Sequence, residues 1–134
     1  MRVLVTFAVD AEFAPWRKLR DLRVNKVGEV SLSQAQLGRA VVDFVVTGMG
    51  SENARRVANV VMAQPYTICI AAGFAGALKP EHAVGTILVA EAVQQIGKAK
   101  TIQSSRRLVR AAGIDGAFRS KMFLTSDSVI RAAR

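Results

Sequence analysis

One cysteine, one histidine and one tyrosine in 134 residues leave little material for several kinds of chemistry. Cys69 stands alone inside an apolar run, so no disulfide framework and no cysteine-based metal site can be written within one chain. His82 lies between Pro80 and Gly85 with no second histidine or cysteine nearby, and reads as a surface-loop residue rather than a metal ligand. Long hydrophobic runs are also missing. The longest apolar or glycine stretch, residues 68–78, is about half of the roughly 20 residues a membrane helix requires. At the start, Arg2 precedes a short apolar run that meets Asp10 and Glu12, leaving no room for a signal-peptide core and cleavage site. A cytoplasmic, membrane-free protein without a cofactor is expected. Three prolines, 6% aromatics and the absence of any repeat exclude collagenous, coiled-coil and mucin-like chains. No G-x-S-x-G motif or Cys/His pairing supports covalent catalysis.

What is present is 51% apolar residues, rich in Ala and Val, enough for the core of one domain spanning residues 1–134. The net charge of +9 is concentrated late in the chain. After Glu91 there are nine Lys or Arg against Asp115 and Asp127, whereas residues 1–91 hold ten against eight acids. A stripe such as Arg106, Arg107 and Arg110 could neutralise phosphates, but no aromatics are interleaved for base stacking and no nucleic-acid motif surrounds it. A solvated helix face, or one covered by an acidic partner or a further chain segment, is the expected reading.

Residues 3–8 form a nearly unbroken apolar run of strand length, expected in the middle of a sheet. A helix is expected to start near Ala11 or Glu12, with Pro15 in its first turn, and to run to about Leu22. Residues 24–30, 33–37 and 40–47 read as an antiparallel meander. Gly48-Met49-Gly50 then leads into a helix capped by Ser51, with Ala54, Val57, Ala58, Val61 and Met62 on one face and Pro65 after its end. Residues 66–72 read as a second core strand, 86–93 as another, 104–112 as a short helix and 121–125 as a last strand. The expectation is a three-layer α/β/α fold with a central mixed β-sheet and helices on both faces.

Gly48-Met49-Gly50-Ser51-Glu52-Asn53 imitates a dinucleotide fingerprint, but Asn53 stands where the third glycine belongs, and no acid closes the next strand. The glycines still indicate close backbone approach at a strand's C-terminal end, where open α/β sheets bind ligands. Most of the ten acids read as surface charge. Glu12 differs, because the pattern places it between a central strand and a helix N-terminus.

Four segments together resemble the nucleoside phosphorylase and nucleosidase superfamily, particularly the methylthioadenosine/S-adenosylhomocysteine nucleosidases. They are residues 3–12 ending in Ala8-Val9-Asp10-Ala11-Glu12, Thr47-Gly48-Met49-Gly50, Ala72-Gly73-Phe74-Ala75-Gly76-Ala77-Leu78 followed by Val84-Gly85-Thr86-Ile87, and Leu124-Thr125-Ser126-Asp127-Ser128-Val129-Ile130. The resemblance implies a nucleoside phosphorylase-like fold and hydrolysis of the N-glycosidic bond of a purine nucleoside. Glu12 would position the attacking water, with substrate contacts from Ala8, Val9, Met49, Phe74, Ala75, Gly76, Val129 and Ile130. It also implies a homodimer, no metal, and a small nucleoside as the partner rather than nucleic acid. Phe74 departs from the nucleosidase pattern, which has serine near the base, so purine recognition is expected to differ. Family chains continue to a Met-Glu segment holding the ribose and a Ser-Asp segment protonating the purine. Residues 1–134 are therefore expected to be the N-terminal part of such an enzyme, half of a site. A phosphorylase, a nucleoside-binding module without turnover, and a basic nucleic-acid-binding domain remain as alternatives.

Overall fold

A computed structural model describes residues 1–19, 21–128 and 130, which divide into two compact units, Met1–Ala75 and Gly76–Arg134. The first contains β1 (Arg2–Phe7), α1 (Asp10–Leu19), β2 (Arg23–Val27), β3 (Val30–Leu37), β4 (Ala40–Val46), α2 (Ser51–Val61) and β5 (Ile68–Ala71). Its five strands form one sheet in the order β2-β3-β4-β1-β5. The expected meander is there: β2 and β3 pair antiparallel, as do β3 and β4. β1 lies between β4 and β5, parallel to both, which explains its unbroken apolar sequence.

The two faces are covered by different helices. Val3, Val5 and Phe7 of β1 cluster with Ala35, Val42 and Phe44 and with Phe13 of α1. Phe13 sits with ring centroids 5.5 Å from both Phe7 and Phe44, and Trp16 adds a 5.4 Å contact to Phe44. Leu4, Val30, Leu32 and Val45 point to the opposite face, against Val57 and Val61 of α2. Each large side chain buried this way contributes about 1.5–3 kcal/mol. The first unit is therefore a mixed sheet with a helix on either face.

The element boundaries differ from the sequence pattern at several places. Residues 24–30 break into two strands across Gly28 and Glu29. α1 begins at Asp10 and ends at Leu19 rather than about Leu22, so Pro15 falls beyond the first turn. The carbonyl its ring leaves without a helical donor belongs to Ala11, which is exposed and open to solvent. Gly50, not Ser51, is the N-cap of α2, and the Ser51 side chain makes no cap bond. β5 is a partly exposed edge strand rather than a core strand, with Ile70 43% exposed and Cys69 exposed 3.9 Å from the Met62 sulfur.

The second unit contains β6 (Leu88–Ala90), β7 (Ala92–Gln95), β8 (Thr101–Gln103), α3 (Arg106–Ile114), β9 (Phe118–Ser120) and β10 (Phe123–Thr125). The single strand expected at 86–93 is two, because Ala90 and Ala92 enter different sheets: β6 pairs with β9, and β7 lies between β10 and β8. β8 escaped the sequence reading altogether. The expected last strand, 121–125, is there in shortened form as β10, and β9 before it was not expected. Among the described residues no helix is long and apolar enough to cross a membrane.

Candidate active site

Because β1, β4 and β5 are parallel, their C-terminal ends open at one sheet edge, and three segments leave from it. β1 leads through Ala8 and Val9 into α1, β4 into Thr47-Gly48-Met49-Gly50, and β5 into Ala72-Gly73-Phe74-Ala75. Thr47 ties two of them together, donating its N–H to the Phe7 carbonyl at 2.8 Å, while its hydroxyl lies 2.9 Å from the Gly48 carbonyl.

Glu12 is the third residue of α1, half-buried, and its carboxylate is fully oriented. Oε2 accepts the backbone N–H groups of Ala8 at 2.8 Å and Val9 at 3.2 Å. Val9 precedes the first helical residue, so the second bond is the returning half of a capping box. Oε1 accepts the N–H of Phe74 at 2.8 Å, reaching across to the turn after β5. A carboxylate offers about four acceptor positions, so three donors leave one open on Oε1. Bonds of this kind to an ionised acceptor are about twice as strong as neutral ones.

This approach explains Gly73. A Cβ built on it would lie 2.6 Å from Oε1 and 2.9 Å from Cδ of Glu12, closer than any side chain tolerates. The sequence marks the glycine turn but not the carboxylate filling the missing side chain's space. Asn53, which spoils the dinucleotide pattern, plays a comparable part: its side chain lies 3.2 Å from where a Gly48 Cβ would be, and donates to the Met49 carbonyl at 2.8 Å.

Of the other candidates, Met49 and Phe74 are 73% and 79% exposed, and Phe74 touches the carboxylate through its backbone N–H. Ala75 closes the first unit and is exposed. Gly76 and Ile130 belong to the second unit, and Val129 lies outside the described residues. One cleft of the first unit, about 510 Å³, is lined by Phe13, Arg17, Ser31, Ser33 and Arg56 among others and does not include Glu12. No group of three or more His, Cys, Asp or Glu able to hold a metal exists among the described residues.

Asp43 departs from the reading of the acids as surface charge. It is fully buried in β4, where it accepts from Arg2 Nε at 2.8 Å, Gln34 Nε2 at 2.7 Å and the Tyr66 hydroxyl at 2.9 Å. The signal available was a lone acid within the apolar run of β4. Burial, reinforced by the bond to Asp43, raises the Tyr66 phenol from 10.0 to about 12.

The fold resembles several solved nucleosidase structures. A methylthioadenosine/S-adenosylhomocysteine nucleosidase from Campylobacter jejuni superposes with a TM-score of 0.80 at 19% identity, over 97% of this chain and 66% of that one. The S-adenosylhomocysteine nucleosidase of Streptococcus pyogenes, solved with 5-methylthiotubericidin, gives 0.78 at 19% identity over 96% and 64%. A futalosine hydrolase mutant from Helicobacter pylori gives 0.76 at 13% identity over 98% and 71%. The chain thus spans about two thirds of the length of these structures. No curated protein matches it by sequence. Residues 2–131 match the model of the phosphorylase superfamily, nearly the whole chain, and the protein belongs to that family.

Proposed function

We propose that this chain carries the water-activating half of a purine nucleosidase, in which Glu12 orients the water that attacks the sugar carbon. What supports this reading is the carboxylate itself: three backbone N–H groups fix it at the sheet edge where α/β proteins bind ligands, with one acceptor position free. Breaking an N-glycosidic bond develops oxocarbenium character on the sugar. An anionic carboxylate beside it would favour that charge while holding water in line. Met49 would lie against the ribose and Phe74 beside the base, where an apolar ring replaces a hydrogen-bonding serine. The substrate would be methylthioadenosine, S-adenosylhomocysteine or a related adenosyl compound. A homodimer in the cytoplasm belongs to the same reading.

Hydrolysis is favoured over phosphorolysis by the charges around Glu12. Asp10 and Glu12 occupy the first turn of α1, where two carboxylates repel phosphate. Arg17, the nearest arginine along that helix, is engaged by Asp10 and lies 4.8 Å over the Phe13 ring. The test is purine release by the full-length gene product from methylthioadenosine, S-adenosylhomocysteine and inosine, with and without phosphate. Phosphate-independent release that falls at least 10²-fold in Glu12→Gln is expected. A strict phosphate requirement with a ribose 1-phosphate product would convert the assignment to a phosphorylase. Binding without release by the full-length protein would make it a nucleoside-binding module.

A further inference from the structure

α1 and α2 begin alike. Each follows a strand of the parallel pair β1 and β4, and in each the third helical residue turns its side chain back over the segment between strand and helix: Glu12 in α1, Asn53 in α2. At this position the side chain of a capping box accepts the N–H of the residue before the helix, as Glu12 does from Val9. Asn53 does the reverse. Its Nδ2 donates to the Met49 carbonyl at 2.8 Å, and it takes no bond from the N–H of the N-cap, Gly50. The helix gains no cap from this bond, which serves the turn before it.

That turn is Thr47-Gly48-Met49-Gly50, and the Thr47 N–H anchors its start on the Phe7 carbonyl. Gly48 has φ +87°, and Asn53 Cγ and Nδ2 lie 3.2 Å from where its Cβ would stand, so the carboxamide fills the space of the missing side chain. Gly50 has φ +90° and ψ 156°, a region that glycine alone enters readily, and its carbonyl accepts the Ala54 N–H at 3.2 Å. Met49 lies between the two glycines with its side chain 73% exposed. So little protein covers this side chain that its direction follows its backbone, and flanking glycines leave a backbone wide freedom. The Asn53 carboxamide, packed on Gly48 and bonded to the Met49 carbonyl, removes that freedom.

We propose that Asn53 is a positioning residue for the nucleoside, fixing the Gly48-Met49-Gly50 turn so that the Met49 side chain is already in place for the sugar. The inference rests on the nucleosidase reading, in which Met49 lies against the ribose. A turn ordered in advance spares the complex the entropy of ordering it on binding, so the benefit is in affinity. A contact of this kind is made equally before and during the reaction, and its loss raises KM while leaving kcat. The residue that spoils the dinucleotide fingerprint thereby acquires a use: a glycine at that position could neither fill the space over Gly48 nor hold the Met49 carbonyl.

The test is the kinetics of the full-length gene product with methylthioadenosine, with Glu12→Gln run beside it as the check on the nucleosidase reading. Asn53→Ala should raise KM roughly 2- to 12-fold with little change in kcat. Asn53→Asp keeps the shape and puts an acid where the first turn of α2 favours one, but a carboxylate cannot donate to the Met49 carbonyl. It should raise KM at least as much while the melting temperature stays at or above the parental value. Met49→Ala should raise KM about tenfold or more, and adding Asn53→Ala to it should change KM no further, because the side chain to be positioned is gone. Met49 and Asn53 are exposed, so these substitutions spare the core. A purely structural Asn53 would instead lower the folded fraction, reducing apparent kcat and leaving KM alone. Parental KM in Asn53→Ala and Asn53→Asp, or effects of Asn53→Ala and Met49→Ala that simply add, would overturn the proposal. Parental kcat in Glu12→Gln, or binding of methylthioadenosine without release of adenine, would overturn the nucleosidase reading instead, and in the second case the same ratios are read in Kd. A parent that neither binds nor cleaves methylthioadenosine would overturn both.

Discussion

Gly73 and Glu12 form a pair in which the absence of one side chain makes room for the other. In Gly73→Ala the new methyl collides with Oε1 of a carboxylate that three backbone hydrogen bonds, one on Oε1 and two on Oε2, keep from swinging aside. Since the clash concerns a carboxylate rather than the core, kcat of the full-length enzyme should fall about 10²-fold or more while the melting temperature changes little. A variant with parental kcat would show that Glu12 orientation does not matter to turnover. Glu12→Gln tests the charge, but its amide must point a donor at a backbone N–H, so some loss of helix capping accompanies it. About 1 kcal/mol of stability should be lost, measurable by denaturant unfolding alongside the kinetics. Asp43 is a different case, because its role is internal to the fold. Asp43→Asn would face three donors with half the acceptors and cost about 2–3 kcal/mol, held down because Arg2 can turn toward water.

Tyr66 reports on that network. It is the only tyrosine, so its phenolate absorbance is unambiguous. With a folded pKa of about 12 against 10.0, the native state holds the proton more tightly than the unfolded chain. The resulting stability is complete below pH 10 and is lost as pH rises toward 12. Phenol titration of the folded protein should therefore lie well above the free value, and Tyr66→Phe should flatten the stability profile in that alkaline window. A midpoint near 10 in the folded protein would contradict the buried bond to Asp43.

Helix ends and strand edges account for most of the differences from the expected secondary structure. α1 starts at Asp10, where Glu12 caps it from within by accepting the Val9 N–H three residues back. α3 extends to Ile114 because Gly116 completes the Schellman turn two residues later. Replacing Gly116 by Ala forces a side chain into positive φ, and should cost about 1 kcal/mol or more. The same change should loosen the return into β9. A Gly116→Ala protein as stable as the parent would mean that the turn relaxes into another geometry. Short strands β6 to β10, three or four residues each, are hard to read for a simple reason. So few residues cannot establish a period-two pattern, and their identity comes from which partner strand they meet.

Residues 1–134 combine a unit built on a five-stranded mixed sheet with a second unit of shorter strands, and the two differ in how legible they were. Local pattern alone determined the first: an apolar run long enough to demand cover on both faces, an alternating meander, and helices with one apolar side. Burial is the dominant energy there, and it is written residue by residue in the chain. Glu12 was also visible, since an acid between a buried strand and a helix start has few bland explanations. Only the tertiary structure decided what surrounds it, because the Phe74 N–H comes from 62 residues away and loop closure leaves no periodic trace. The burial of Asp43 was decided in the same way. Polar and charged side chains take their roles from partners brought by the fold, whereas apolar ones carry theirs in the spacing of the sequence.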